Sequence, residues 1–303
     1  MAVASGSKPE FANEDFRFKL GTVQGDAKDF FLWSDRATIE LAERKHWLST
    51  DPQRYARLAP GGEPIANEWI ESIRSWPQFR LSSSDFWSNS IDSLQRMKWI
   101  SGCLEPDFVL LASNPSMSAE STDASQLHSD DRDKVFRVIG GCVCFPSSWS
   151  LPDKMLQPVQ AVHEPVPQLN AALGIQIDRL ISHLRPGKCL IRSNWSVCSV
   201  PELNQHPDRQ IPPVSSPVKL DDAWLRCEEQ CLFSLPQSGG VVFGIRVTHR
   251  SWASLRQSPE AARNIARSLR TMPHDLRCYK RLNLVADELA QLLVGENSAE
   301  SPN

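Results

Sequence analysis

The chain has 303 residues, of which 41% are hydrophobic and 23% are charged, the proportions of a folded globular protein. Its formal net charge of -3 argues against nucleic-acid binding, which needs a basic surface. No apolar run approaches the roughly 18 residues of a membrane span, and the N-terminus lacks the apolar core of a secretory signal. We therefore expect a cytoplasmic protein that binds neither nucleic acid nor membrane.

The eight cysteines also point to a reducing compartment. They are Cys103, Cys142, Cys144, Cys189, Cys198, Cys227, Cys231 and Cys278. They form no CxxC pair, and most lie in apolar, strand-like segments. Reduced, buried thiols fit this pattern better than disulfides, a zinc site or an iron-sulfur cluster. Cys142 and Cys144 alternate onto one face of a predicted strand, where we expect small buried hydrophobes.

Helical and strand-like periodicities alternate along the first half of the chain. Ser34 or Asp35 is expected to cap the first helix, with Ile39 on its apolar side. The predicted elements are this helix to about residue 48, a turn or short helix at 51–55, an amphipathic helix at 65–76, a polar tract at 80–91, a strand at 107–112, a long loop at 113–133 and a strand at 137–145. We expect the 113–133 loop to be mobile, as a lid or a partner surface.

The second half adds a helix, a hairpin and a helical end. The predicted elements are a loop at 151–160, a helix at 169–184, a strand from residue 189 into 193–195, an irregular excursion at 199–218, strands at 224–235 and 240–248, and helices at about 258–269 and 280–293. Turn residues at 236–240 join the last two strands into a hairpin. Strands separated by irregular excursions, with helices at both ends, predict an α+β fold with a mostly antiparallel sheet. We expect an N-terminal arm at 1–28, one domain at 29–294 and a polar tail at 295–303.

One histidine, His163, stands out because prolines follow it in the sequence VHEPVP at 162–167. Proline fixes its own φ and biases the preceding residue toward extended geometry. His163 is therefore predicted to lie on a stiff, non-helical segment. Such a segment suits an imidazole that must keep one direction, as an iron ligand does. The alternative is a histidine that bonds a neighbouring carbonyl group.

The first strand of the predicted hairpin carries an unusual number of polar side chains. Alternation places Arg226, Glu228 and Gln230 on one face, where they line a polar cavity or, alternatively, a solvated sheet face. A four-residue loop would bring Glu229 opposite Arg246. Such a cross-strand ion pair contributes roughly 0.2–1 kcal/mol and is expected to be structural.

Arg192, at the end of an apolar strand, is a third candidate. Its guanidinium can pair with a propionate or a carboxylate in a bidentate manner, or it can form an ordinary ion pair at the strand end. The sequence contains no Walker loop, GxGxxG, HExxH or GxSxG motif. This weakens the interpretation of the chain as a nucleotide-binding protein, a zinc protease or a serine hydrolase.

Five segments together resemble a known family. They are VCFPSSW at 143–149, VHEPVP at 162–167, RSNW at 192–195, LRCEEQ at 225–230 and LPQSGG at 235–240, with weaker matches at 30–55 and 279–280. Their order and spacing resemble the alpha subunit of heme-dependent oxidative N-demethylase, over most of residues 30–282.

The resemblance implies a PAS-like antiparallel sheet that holds heme b. It implies O2-dependent removal of a methyl group from a small secondary alkylamine such as dimethylamine, with release of formaldehyde. It also implies a hetero-oligomeric complex in which NADPH, FMN and an iron-sulfur centre belong to partner subunits only. The absence of a nucleotide motif and of clustered cysteines from this chain agrees with that division.

The resemblance also implies roles for individual residues. His163 is the implied axial ligand of the heme iron, which leaves the other axial position for oxygen. The implied catalytic residues are Arg192, Arg226 and Glu228, and the implied heme contacts besides His163 are Arg192, Trp195 and Gln230.

Two segments depart from the family pattern. The chain reads LEPDFV at 104–109, where the family has an acidic, glutamine-containing segment, and EEQ at 228–230, where the family has ERQ. The first departure makes a different substrate possible. The second is expected to disturb side-chain packing more than chemistry. The alternative function is a non-catalytic PAS-type sensor or binding subunit for heme or a small ligand, because fold alone does not fix function. Glu228 favours the enzyme, since a cationic amine needs a nearby carboxylate.

Overall fold

A seven-stranded antiparallel sheet forms the centre of the protein in the computed structural model, which describes residues 13–77, 79, 91–113 and 134–295. Its strands are β1 (Val23–Gly25), β2 (Ala56–Leu58), β3 (Asp107–Ala112), β4 (Arg137–Cys142), β5 (Cys189–Cys198), β6 (Trp224–Ser234) and β7 (Val241–Ser251). They lie in the order β1-β5-β6-β7-β3-β4-β2, and every neighbouring pair is antiparallel. The predicted strand at 107–112 is confirmed.

Helices flank this sheet. Those in the described part of the chain are α1 (Ala27–Phe30), α2 (Ala37–Thr50), α3 (Pro52–Tyr55), α4 (Glu63–Arg74), α5 (Ser93–Ser101), α6 (Leu151–Lys154), α7 (Val159–His163), α8 (Leu169–Ser182), α9 (Trp252–Arg256), α10 (Pro259–Thr271), α11 (His274–Tyr279) and α12 (Ala286–Val294). The predicted α+β class with flanking helices is therefore confirmed. None of these helices combines the length and apolar character needed to cross a membrane.

The two faces of the sheet have separate hydrophobic cores, because strand side chains alternate. Phe108 of β3 packs with α4 and α5, where Trp69 is fully buried. Its neighbour Val109 faces the other way and packs with α8 through Ile177. A third core, around Trp252, joins α9, α10 and α12 to the start of β6. The polar side chains considered below lie on the face that carries α8.

The hairpin of β6 and β7 has the predicted register. The backbone N–H of Leu235 donates to the carbonyl of Gly240 over 2.8 Å, and Gly239 takes the left-handed φ of 69° that glycine favours. Glu229 lies opposite Arg246, as predicted. Their closest ion-pair atoms are 3.9 Å apart, whereas Arg246 approaches the carboxylate of Glu105 to 2.8 Å. The predicted pair therefore exists as part of a larger charge cluster.

The first long helix, α2, begins later than predicted and turns a different side inward. Its N-cap is Arg36 rather than Ser34 or Asp35, and Ile39 is 72% exposed. The buried residues of α2 are Ala37, Glu40 and Arg44, and Arg44 pairs with a carboxylate on the sheet. A buried ion pair, which the apolar pattern does not reveal, thus sets the orientation of this helix.

The predicted helix at 280–293 is wrong in its first turn. Helix α11 ends at Tyr279, and α12 begins only at Ala286. Between them Arg281 has a φ of 59°, in the left-handed region, which interrupts right-handed helical geometry. Lys280, the C-cap of α11, lies just before this break and donates from Nζ to the carbonyl of Trp195 on β5.

Several predicted segments fall wholly or partly outside the described residues. These are the polar tract, at 80–90, the long loop, at 114–133, the start of the arm, at 1–12, and the polar tail, at 296–303. Within the predicted arm, β1 (Val23–Gly25) pairs with β5 and forms one edge of the sheet.

A buried ion pair fixes the chain just after β4. Asp107 accepts hydrogen bonds from the backbone N–H groups of Cys144 and Phe145, each at 2.8 Å, and from Arg44 at 2.5 Å. Arg44 and Asp107 are both fully buried. The charged carboxylate therefore holds the turn that leads to Ser147, the first residue of the candidate site.

Candidate functional site

The register of β5, β6 and β7 gathers polar side chains on one face of the sheet. Arg192 lies opposite Gln230, and Asn194 lies opposite Glu228. On the other side of β6, His249 lies opposite Arg226. Directly paired residues share a face, so three strands contribute to one polar surface.

The carboxylate of Glu228 is the centre of this surface. Ser147 donates a hydrogen bond to Oε1, and the amide of Gln230 donates to Oε2 over 2.8 Å. Ser147 in turn accepts a hydrogen bond of 2.7 Å from Nε of Arg226. A hydroxyl has only one proton, so that of Ser147 points to Glu228. Both carboxylate oxygens are thus held in place by donors from the protein.

Arg226 does not line a cavity as a free cation, which corrects the interpretation from sequence. The residue is fully buried, and its guanidinium donates to the carbonyls of Phe145 at 2.8 Å and Glu202 at 3.3 Å. It also lies 3.2 Å from Nε2 of His249. Burial lowers the pKa of Arg226, and the carboxylate of Glu228 opposes that shift. Because protein groups occupy its donors, Arg226 anchors Ser147 and Glu228.

His249 accepts from this arginine as a neutral imidazole. Burial is the main cause that lowers its pKa to about 3, and the positive charge of Arg226 adds to the shift. At neutral pH the ring therefore carries no charge, and Nε2 is free to accept the guanidinium N–H.

Two further cations and a phenol lie close enough to Glu228 for its charge to shift their pKa values. Burial lowers the pKa of Arg192 and of Lys280, and Glu228 opposes the shift in each case. Burial raises the pKa of the phenol of Tyr279, and Glu228 raises it further. Nζ of Lys280 donates to the carbonyl of Trp195 over 3.2 Å. Nε of Arg192 is buried and has no hydrogen-bond partner within the described residues.

His163 lies near enough to Arg192 for the two charges to interact, but it is not on the predicted non-helical segment. It is the last residue of the short helix α7, whose N-cap is Pro158, so prolines delimit a helix here instead of stiffening an extended chain. Burial lowers the pKa of His163, and the charge of Arg192 lowers it further. Its Nδ1 is buried and finds no hydrogen-bond partner in the described part of the protein. The ring is therefore a neutral imidazole with an unused nitrogen, the form that binds metals.

Trp195 does not join this cluster. It is an odd number of residues from Arg192 along β5, so its side chain points to the opposite face of the sheet and packs against the C-terminal helices. Only its backbone carbonyl reaches the site, as the acceptor for Lys280. The predicted heme contact of Trp195 stays a prediction, and a heme bound on the α8 face would meet the backbone of Trp195 and not its indole ring.

Sequence analysis did not assign a role to four residues of the cluster. They are Ser147, His249, Tyr279 and Lys280. Ser147 and Lys280 follow the end of a strand and of a helix, where periodicity gives no orientation. The alternation of β7 could have revealed His249, because the predicted hairpin register pairs it with Arg226.

The donor set fits a heme. His163 offers a neutral nitrogen without another partner, and Arg192 offers a guanidinium N–H for a propionate. The cluster also has a surplus of positive charge, because Arg192, Arg226 and Lys280 outnumber the carboxylate of Glu228. This surplus suits the negatively charged propionates of a heme. The model of a family described as haem-dependent oxidative N-demethylase, alpha subunit-like, matches residues 38–290 of the chain.

Proposed function

The chain belongs to the family of haem-dependent oxidative N-demethylase alpha subunit-like proteins, and on this premise we propose that it is a catalytic subunit for oxidative N-demethylation. The proposed substrate is a small secondary alkylamine such as dimethylamine. The proposed reaction consumes O2, two electrons and two protons and releases formaldehyde, water and the shortened amine. The observation that carries the proposal is the neutral, unpaired imidazole of His163 beside Arg192, on the sheet face that also presents Glu228.

A PAS-like domain at 29–294 would hold heme b through two of these residues. His163 would ligate the iron, and Arg192 would donate to a propionate. A bound heme would supply the oxygen and one-electron chemistry that side chains lack. Gln230, which sequence analysis assigned to the heme, donates to Glu228 instead and holds that carboxylate.

Glu228 would bind the amine. A protonated alkylamine donates N–H bonds, and a carboxylate is the acceptor that makes such bonds strong. The donors from Ser147 and Gln230 fix the carboxylate plane before substrate arrives, so one orientation of the amine is favoured. In this proposal Arg226 acts through Ser147 and does not touch the substrate.

The electrons would come from partner subunits. The family name describes an alpha subunit, and the sequence contains no dinucleotide-binding loop and no cluster-type cysteines. We therefore place NADPH, FMN and the iron-sulfur centre on a partner reductase of a cytoplasmic hetero-oligomeric complex.

A combined spectroscopic and product assay tests the proposal. Purified protein reconstituted with heme should show a Soret band and, with O2 and an electron donor, release formaldehyde only when dimethylamine is added. His163→Ala should weaken heme affinity at least about tenfold. Mutation of a residue that only orients a metal ligand already lowers metal affinity about 10- to 100-fold, and loss of the ligand itself should lower it at least as much. The matched control is His183→Ala, at the exposed end of α8. Unchanged heme content in the His163 variant would reject the ligand assignment, and heme binding without formaldehyde would favour the sensor.

A further inference from the structure

The charges around Glu228 do not match a simple amine. Arg192, Arg226 and Lys280 each respond to the negative charge of Glu228. In the described part of the chain, however, the carboxylate contacts only Ser147 and Gln230, and it forms no direct ion pair with any of the three cations. No ion pair therefore joins the carboxylate to these cations, and charges of both signs remain for a ligand to pair with.

Two of the three cations are already accounted for. Arg226 is buried, and backbone carbonyls, Ser147 and His249 occupy its donors. Arg192 is assigned to a heme propionate in the proposed function. Lys280 is the cation that remains.

The position of Lys280 is built by the fold. Lys280 is the C-cap of α11, and its ammonium donates to the carbonyl of Trp195 on β5 over 3.2 Å. Trp195 follows Asn194, whose direct partner on β6 is Glu228. One N–H of the ammonium is used, and two remain. A partly buried cation without an anion is unfavourable, so this site has a use for an anionic group from a ligand.

We propose that the substrate is a zwitterion, an N-methylated amino acid whose ammonium group binds Glu228 and whose carboxylate binds Lys280. This inference rests on the proposed demethylase function and replaces dimethylamine, as the preferred substrate, by an N-methylated amino acid. Dimethylamine would neutralise Glu228 and leave Lys280 uncompensated. A zwitterion neutralises both groups and adds a charge-assisted hydrogen bond at its carboxylate.

The chemistry balances for N,N-dimethylglycine as the probe. A methyl C–H bond is replaced by C–O, and the C–N bond to that carbon then breaks. N,N-dimethylglycine, O2, two electrons and two protons give N-methylglycine, formaldehyde and water. O2 is the oxidant, and the partner reductase supplies the electrons. Neither Glu228 nor Lys280 is consumed, because both serve to bind and orient the substrate.

Ligand binding tests the inference separately from turnover. Calorimetry and optical titration of the heme-loaded protein should show that N,N-dimethylglycine binds at least about tenfold more tightly than dimethylamine, the difference expected from one added hydrogen bond to a charged group. Lys280→Gln retains a donor for the Trp195 carbonyl but has no charge, so it should abolish this preference, and dimethylamine should bind at least as tightly as before because a positive charge near Glu228 is removed. Lys280→Arg retains the charge and should keep the preference.

Three results would overturn the inference. The first is equal or tighter binding of dimethylamine by the unaltered protein. The second is an unchanged preference in Lys280→Gln. The third is loss of heme from Lys280→Gln at normal thermal stability, which would assign Lys280 to a propionate. Lys280-dependent binding of N,N-dimethylglycine without formaldehyde release would instead uphold the binding assignment and refute the demethylase function.

Discussion

Asp107 provides a quantitative test of how the fold positions the site. Its carboxylate is buried with Arg44 and accepts the N–H groups of Cys144 and Phe145, close to Ser147. Asp107→Asn preserves the shape but removes the charge, which leaves Arg44 as a buried cation without its carboxylate. It also replaces one accepting oxygen by a donating NH2 group. Each change is unfavourable in a buried site.

The magnitude follows from these contacts. Loss of one partner of a buried ion pair costs about 3–5 kcal/mol of unfolding free energy, and an unsatisfied backbone N–H costs about 1–3 kcal/mol. The two effects share one side chain and do not add fully, so we expect Asp107→Asn to lose about 4 kcal/mol. Arg44→Met should cost less in the Asp107→Asn background than in the unaltered protein, with a coupling of at least about 1 kcal/mol.

Urea unfolding followed by circular dichroism measures these differences through the midpoint and the slope. Asp287→Asn is the matched control, because this carboxylate pairs with Arg277 at 3.2 Å but is 70% exposed. The control should change stability by less than about 0.5 kcal/mol. If Asp107→Asn lost no more than the control, the buried pair would not hold the turn before Ser147, and the reasoning would be refuted.

Two further predictions concern the site itself. Glu228→Gln should weaken amine binding about 10- to 100-fold, because it removes a charge-assisted acceptor, and it should leave heme uptake unchanged; equal amine affinity in an optical titration would count against the assignment. His249 has a pKa of about 3 in the folded protein and 6.5 ordinarily, so the unfolded chain binds its proton more tightly. The folded protein should therefore lose stability as the pH falls from 6.5 toward 3, by up to about 4 kcal/mol from this group, and His249→Gln should flatten that dependence in urea unfolding. Identical slopes in both proteins would contradict the buried neutral imidazole.

Local pattern was enough for several features of the sheet. The apolar run at 107–112 specifies β3, and turn residues between two alternating strands specify the hairpin and its pairing of Glu229 with Arg246. Alternation also places Glu228 and Gln230 on one face. The same rule applied through the full length of β5 would have separated Trp195 from Arg192. These features depend on neighbouring residues only, which is why sequence reveals them.

Only the tertiary structure decided which charges meet. Ser147 reaches Glu228 across 81 residues of sequence, and Lys280 reaches the carbonyl of Trp195 across 85. Tertiary packing also brings the Phe145 carbonyl to the guanidinium of Arg226 and buries Arg44 against Asp107. The sequence by itself determined which segments form strands and helices and which side chains share a strand face, since those depend on periodicity. Burial and pairing of charges depend on distances between segments far apart in the chain, and these exist only once the chain has folded.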